Sequence, residues 1–333
     1  MPALGNFVTS VTREKFFPSV VDNVFDGIPL FMRLRDKARP WSGGYRLNIP
    51  TEVSTRTAGG SFSGFDTLST NQENVRVNFT VDPSEYYWTV AISGIQKALN
   101  KGPEAVVDLL AAEFEGTGRA LRNALAEDLF GDGTGNSSKA INGLVYQIDD
   151  ATDVVTFQGL SRNTYTNLRA TRTAQSGALS FTNLATDYDA SQIGADSPTL
   201  GVTTPAVWSI IERLTTPVQN MEIGRAYAKL APAGGTSGIA LNYGVNAITY
   251  RGVPIISDDQ CTSGNLFLLN ENHLNLYLID QDPLLADSSK EGFAWTGWKK
   301  SSNQNAIVGQ LLFAGQLVGD SPRTMSRRTG ITS

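Results

Sequence analysis

A chain of 333 residues with 41% hydrophobic and 18% charged residues is composed like a folded protein, not a disordered one, with room for one to three domains. One cysteine, Cys261, excludes an intramolecular disulfide and a thiolate metal cluster, and one histidine, His273, excludes a His-rich zinc site. The net charge of −5 divides as +2 over 1–40, −11 over 41–298 and +4 over 299–333, far from the concentrated basic footprint of a specific DNA reader.

No apolar run approaches the roughly 20 residues of a membrane span. The N-terminus, MPALGNFVTSVTREKFF, lacks the basic and apolar regions of a secretory signal, so the expectation is synthesis and first folding in a cytoplasm. Within residues 1–40, Phe16, Phe17, Val20, Val21, Val24 and Phe25 form a short amphipathic patch, followed by IPLFMRL. This segment is too small to own a core, and its apolar side chains are expected against a neighbouring domain or subunit.

From Gly44 the pattern turns to strands: YRLNIPTEV, VRVNFTV and YYWTVAI alternate. Between the first two lies TRTAGGSFSGFDTLSTNQEN, read as the glycine-rich tip of a long hairpin. Isolated hairpins are marginal in water, and Phe62 and Phe65 at this tip invite a partner molecule.

In GPEAVVDLLAAEFEGTGRALRNALAEDLFG the apolar or small positions 107, 110, 114, 118, 121, 125 and 129 step by three or four, which predicts a helix. Pro103 suits its first turn, and at ~1.5 Å per residue the helix runs roughly 40 Å. Gly116 and Gly118 weaken it by about 1 kcal/mol each relative to Ala and suggest a bend or a close backbone approach.

The stretch that follows, LFGDGTGNSSKAINGL, could in principle cradle a phosphate, wrap a calcium ion or stop a helix. It follows a helix, whereas phosphate-binding glycines open one, and Lys139 comes after Ser138 instead of before it. No Glu closes a calcium loop. A helix stop remains: Gly131 as a left-handed C′ residue, a turn through Asp132, Gly133 and Asn136, and a strand beginning near Asn142-Gly143-Leu144. Gly131, Gly133 and Gly135 form the structural hinge of this reading.

Beyond it, LVYQI and VVTF look like strands, SRNTYTNLRATRTAQ like a helix capped by Ser161, and TLGVTTPAVWSIIERL like a strand followed by a helix. There Thr204 is the N-cap, Pro205 the first helical residue, and Trp208 and Ile211 face inward. ITYRGVPIISD, NLFLLNENHLNLYLI and AIVGQLLFAGQLV read as strands. His273, in an apolar strand-like context, reads as structural, and Asp187-Tyr-Asp189 and Asp258-Asp259 read as turn aspartates. The mixed order predicts an α+β body with a projecting arm and hairpin.

An N-terminal arm, a glycine-tipped hairpin, a long helix and then LFGDGTG…INGL resemble the major capsid proteins of tailed bacteriophages, with the Hong Kong 97 fold. YRGVPIISDDQCTSGNLFLLNENHLNLYLID is similar to that family's Gly-Val-Pro strand, Ser-Asp turn and apolar hairpin, and AIVGQLLFAGQLVGDSPRTMSRRTGI is similar to its returning C-terminal strand. The resemblance implies an N-arm over 1–41, an extended E-loop hairpin over 42–92, a peripheral domain with spine helix over 93–140 and 300–333, and an axial domain over 141–299. It implies no enzyme and no cofactor, but self-assembly into hexamers and pentamers of an icosahedral virion shell enclosing double-stranded DNA by non-specific contact. Portal, scaffolding and decoration proteins are the implied partners, with no membrane.

Phe16, Phe17, Phe25, Phe62 and Phe65 become candidate inter-subunit contacts, and Arg323, Arg327 and Arg328 candidate DNA-facing residues. No helical scaffolding segment precedes the arm in this sequence, and the expectation is a separate scaffolding protein, none, or a segment that has been lost. No lysine lies between Lys37 and Lys97 to form the prototype's E-loop cross-link. The alternatives are an encapsulin-type nanocompartment shell and a secreted binding module.

Overall fold

The computed structural model describes residues 29–41, 43–95, 103–215, 247–279 and 292–332. Phe16, Phe17 and Phe25 lie outside them. The strands are β1 (Arg39–Pro40), β2 (Leu47–Glu52), β3 (Arg76–Val81), β4 (Ser84–Ser93), β5 (Thr156–Phe157), β6 (Leu160–Ser161), β7 (Thr171–Gly177), β8 (Leu200–Thr203), β9 (Ala247–Tyr250), β10 (Val253–Ser257), β11 (Leu266–Leu269), β12 (Leu274–Leu278), β13 (Phe293–Trp295), β14 (Lys299–Lys300), β15 (Ala306–Gly319) and β16 (Ser326–Ile331). They form two six-stranded sheets and two two-stranded ribbons.

The 14-residue β15 organises the first sheet. Along one side it pairs antiparallel with the whole of β4, from Ala306↔Ser93 to Gly315↔Ser84. Along the other it takes β14, β13 and β12 in succession, and β1 adds parallel to β12. The expected helix spans Pro103–Leu129, beginning at its proline. Leu121, Leu125 and Leu129, spaced four apart, enter one core with Leu311, Phe313 and Leu317 of β15 and with Leu30, Phe31 and Leu34 of a short helix at Pro29–Asp36. Gly116 has open space where a Cβ would sit, so no close approach explains it.

The second sheet runs β7-β16-β11-β8-β10-β9, and its central strands β11, β8 and β10 are buried on both faces. Leu200, Val202, Phe267 and Leu269 face the first core. Ile255, Leu266 and Ile331 face a second core under the helices Phe181–Ser191 and Pro205–Thr215, which contribute Leu184, Val207 and Ile211. A sheet covered on both sides needs apolar residues at consecutive positions, as LFLL and VPII provide. Thr204 caps the second helix through Val207 N–H, as its sequence suggests.

Several local readings give way to tertiary contacts. LVYQ forms one helical turn at Leu144–Gln147, burying Leu144 and Ile148 four apart. The buried Gln147 amide donates to Asn142 O and Leu317 O and accepts Gly319 N–H, which holds the turn against β15. SRNTYTNLRATRTAQ is no helix: it is a loop, a 3₁₀ turn at Thr166–Leu168 and then β7. Ser161 caps only a tight turn, through Asn163 N–H, because Arg162 is fully buried and draws the carbonyls of Leu168, Val154, Tyr146 and Gln147 around its guanidinium.

NLFLLNENHLNLYLI holds two strands but no hairpin, since β11 and β12 belong to different sheets. His273 lies in the connection between them, with Nε2 3.3 Å from Asp196 Oδ2. Asp187 and Asp189 lie on a helix, not a turn. Nor do the sheets follow one boundary at 300. β15 joins the sheet under the long helix, whereas β16 crosses to the second sheet, between β7 and β11, because its apolar and arginine residues find their partners there.

Candidate inter-subunit interface

The hairpin β2–β3 pairs Leu47↔Val81 through Glu52↔Arg76. Its root is held by a small apolar cluster of Val53, Phe79, Phe157 and Leu168, and by Thr80 N–H bonding Gln158 O. Arg46–Asp82 and Glu52–Arg76 brace it across the strands. Farther out, Thr57 donates both its N–H and its hydroxyl to Glu73, holding that carboxyl below its usual range.

Beyond this neck the tip is bare. Phe62, Phe65 and Leu68 are 65%, 105% and 57% exposed, and among the described residues 57–73 hydrogen-bond only with one another. Three large apolar side chains on an unsupported loop are the mark of a surface meant for another molecule. At the hairpin root a groove of about 1000 Å³ opens between the ribbon and the outer face of the first sheet, lined by Arg46, Asp82, Tyr87, Lys139, Gln310 and Leu312 among others.

The glycine-rich stretch shapes one wall of that groove. The long helix ends with Phe130 N–H bonding Glu127 O and Gly131 N–H bonding Asp128 O, the tightening of a 3₁₀ turn. The left-handed glycine is Gly133 (φ 79), not Gly131. Asp132, its carboxyl held below the usual range by Thr134, bonds the Thr134 N–H and hydroxyl. Asn136, Ser137 and Ser138 then make a left-handed turn (φ 48, 60 and 63) closed by Lys139 N–H to Gly135 O, at a cost of ~1–2 kcal/mol per residue for L-residues.

Gly143 is the tightest position: an added Cβ would lie 2.4–2.6 Å from the carbonyl oxygens of Asp128, Leu129 and Gly131. Tyr86 of β4, donating to Asp128 and accepting from Ile141 N–H, pins the helix end to the sheet, and burial raises its hydroxyl pKa.

The candidate cationic residues separate. Arg323 is exposed, with one hydrogen bond to Asn167. Arg327 and Arg328 are 6% and 4% exposed and cannot face a polyanion. Arg328 grips Asp187 with two nitrogens, and Arg327 reaches Asp153 at 3.0 Å. The acids that claim them lie 141 and 174 residues away, invisible to local reading.

Among the described residues no cluster of His, Cys, Asp and Glu is placed to hold a metal, and no helix is long and apolar enough to cross a membrane. Cys261 is buried, and burial pushes its thiol pKa up.

Sheets, long helix and projecting hairpin together define the class: an α+β capsid fold of the Hong Kong 97 type. No protein-family model and no curated protein matches the sequence, so the likeness is structural. The cyanophage A-1(L) capsid asymmetric unit matches with 17% identity over 99% of this chain and 98% of its own, at a TM-score of 0.69. The holo-SrpI encapsulin complex from Synechococcus elongatus matches at 0.57, with 11% identity over 99% and 92%. The capsid of a native GTA particle also matches at 0.57, with 9% identity over 100% and 95%.

Proposed function

We propose that this chain is the major capsid protein of a tailed bacteriophage, a structural, non-catalytic subunit that assembles into hexamers and pentamers of an icosahedral virion shell around double-stranded DNA. The observation that carries the reading is the end-to-end likeness to the cyanophage capsid, covering both chains almost completely. The exposed apolar hairpin tip supports it, because Phe62 and Phe65 are apolar surface without a use in a monomer. In this reading residues 1–41 form an N-arm, the hairpin an E-loop, the sheet around β15 with the long helix a peripheral domain, and the second sheet an axial domain. Portal, scaffolding and decoration proteins are the further partners. Arg323 remains a candidate for weak DNA contact.

An encapsulin-type shell is the second reading, favoured by the SrpI likeness at 0.57 but below the 0.69 of the cyanophage capsid. Electron microscopy of the purified chain, with and without a co-expressed scaffold, tests both. Shells, tubes or hexamers are expected, and DNA content divides virus from encapsulin. A discrete monomer across a wide concentration range overturns both.

A further inference from the structure

The last strand of the chain lies inside the second sheet. β16 runs parallel to β7, from Ser326↔Thr171 to Ile331↔Gly177, and antiparallel to β11, from Leu266↔Arg328 to Leu268↔Ser326. β7 is thus joined to β11 through the strand that is synthesised last. The rest of the sheet, β11-β8-β10-β9, pairs in one continuous ladder without it. To the second core β16 supplies only Ile331 among the described residues. The apolar packing under the helices Phe181–Ser191 and Pro205–Thr215 is therefore nearly complete before β16 arrives.

What β16 brings is charge. Successive strand residues point to opposite faces, and its two adjacent arginines find an acid on each. Arg328 takes Asp187 with two nitrogens, and it also donates to Gln175 Oε1 and the Asn183 carbonyl. On the other face Arg327 Nη2 reaches Asp153 at 3.0 Å, an acid that Arg172 also holds. Asp187 is 2% exposed, and burial raises its carboxyl pKa even against the pull of Arg328. Without β16 it is a buried carboxylate lacking its counter-charge.

Beyond the arginines the backbone sets the fit. Gly330 (φ 72) sits at a register shift between Thr329 and Ile331, and an added Cβ would lie 2.2 Å from Gln175 O. Ile331 N–H then bonds Gly264 O at 3.0 Å, and Thr332 N–H bonds Gly177 O at 3.2 Å.

We propose that the gap between β7 and β11 is a strand-binding slot for an Arg-Arg-x-Gly-Ile segment, filled by the chain's own residues 326–331 after the rest of the subunit has folded. Asp153 and Asp187 select the two arginines, and Gln175 O admits only glycine at the register shift. These acids precede their arginines by 174 and 141 residues, so a chain still being synthesised carries the slot open. The consequence is that a subunit cannot associate until its synthesis ends. That consequence rests on the proposed self-assembly, whereas the slot does not.

Native-state hydrogen exchange on the free wild-type subunit is the first test. The amides of β7 and β16 should exchange together, at least about tenfold faster than those of β8 and β10. The second test uses the full-length Arg328→Ala/Gly330→Val variant, whose own strand cannot seat, and a fluorescent peptide of residues 320–333. The peptide should bind this variant and not the wild type, whose slot is filled. Arg328→Ala in the peptide should weaken binding at least about a hundredfold. Bound wild-type peptide should restore particles to the variant.

Exchange of β7 and β16 only at the rate of β8 and β10 overturns a separately closing strand, and this wild-type result decides if the variant does not fold. A variant with fast β7 amides that ignores the peptide overturns the slot. A variant whose β7 amides stay as slow as wild type overturns the assigned recognition. Peptide binding without particles, where the wild type forms them, overturns the consequence for assembly. A wild type that forms no particle removes the assembly reading and leaves the peptide result to decide the slot.

Discussion

Arg33 and Glu271, 238 residues apart, form a two-point ion pair that seats the helix Pro29–Asp36 at the crossing from β11 to β12. Burial alone would raise the Glu271 carboxyl, but Arg33 and Lys37 hold it below its ordinary value. Glu271 is 4% exposed and Arg33 20%, so the two deletions differ. Arg33→Ala leaves a buried carboxylate and should cost about 3 kcal/mol or more. Glu271→Ala leaves a guanidinium that can reach water and should cost less. Urea unfolding at neutral pH measures both. The lowered pKa means the contribution is present above the unfolded value and is lost as pH falls through the folded one.

Among the described residues Arg162 is the largest fully buried side chain, satisfied by four carbonyls and set over the Phe157 ring at 4.6 Å. Burial pulls its pKa down to about 10. Arg162→Lys cannot reach four carbonyls from one ammonium and should destabilise by about 3 kcal/mol or more, since orphaned buried polar groups cost ~1–3 kcal/mol each. A lysine variant melting like wild type would show that the loop does not depend on the fork.

Two glycines predict opposite outcomes. Gly143→Ala puts a Cβ within 2.6 Å of three carbonyl oxygens and should abolish soluble expression or lower the melting temperature sharply. Gly116→Ala meets nothing within 4 Å on the long helix and should stabilise by about 1 kcal/mol. Thermal melts of the two variants compare them directly.

Asp258 is 2% exposed, with one carboxyl oxygen bonding Gln260 N–H and the other unsatisfied. Burial pushes its pKa up to about 6. The folded state therefore takes up this proton before the unfolded state does, so its penalty is full above pH ~6 and fades as pH falls toward ~4. Asp258→Asn should raise stability at pH 7.5 by about 2 kcal/mol, with the gain shrinking at pH 4.5. Urea midpoints at both values read the difference.

Replacing residues 55–74 with a short turn should leave a folded, soluble subunit that closes no stable shell. Val53 and Val75, which anchor the root and bond each other at 3.0 Å, are retained. Size-exclusion chromatography with electron microscopy checks this, and an unfolded product would place the loop in the body of the subunit.

What was readable in the sequence was local and strong. Pro103 with a stepped apolar stripe, Thr204-Pro205 before Trp208 and Ile211, the alternating arms around Phe62 and Phe65, and the unbroken AIVGQLLFAGQLV are elements whose signals sit within a few residues of one another. Elements whose partners lie far along the chain were misread. Leu144–Gln147 became a helical turn because Gln147 bonds β15, and Arg162 turned an expected helix into a loop. Arg327 and Arg328 were withdrawn from the surface by Asp153 and Asp187.

The sequence by itself determined which segments are helix, strand and exposed tip wherever periodicity and capping agreed, together with the order that carries the capsid-like pattern. Only the tertiary structure decided that β11 and β12 part into two sheets, that β16 crosses to the second, and that β15 pairs along the whole of β4. Strand pairing and charge burial join residues hundreds of positions apart, and no local periodicity records which neighbour a strand or a charge will find.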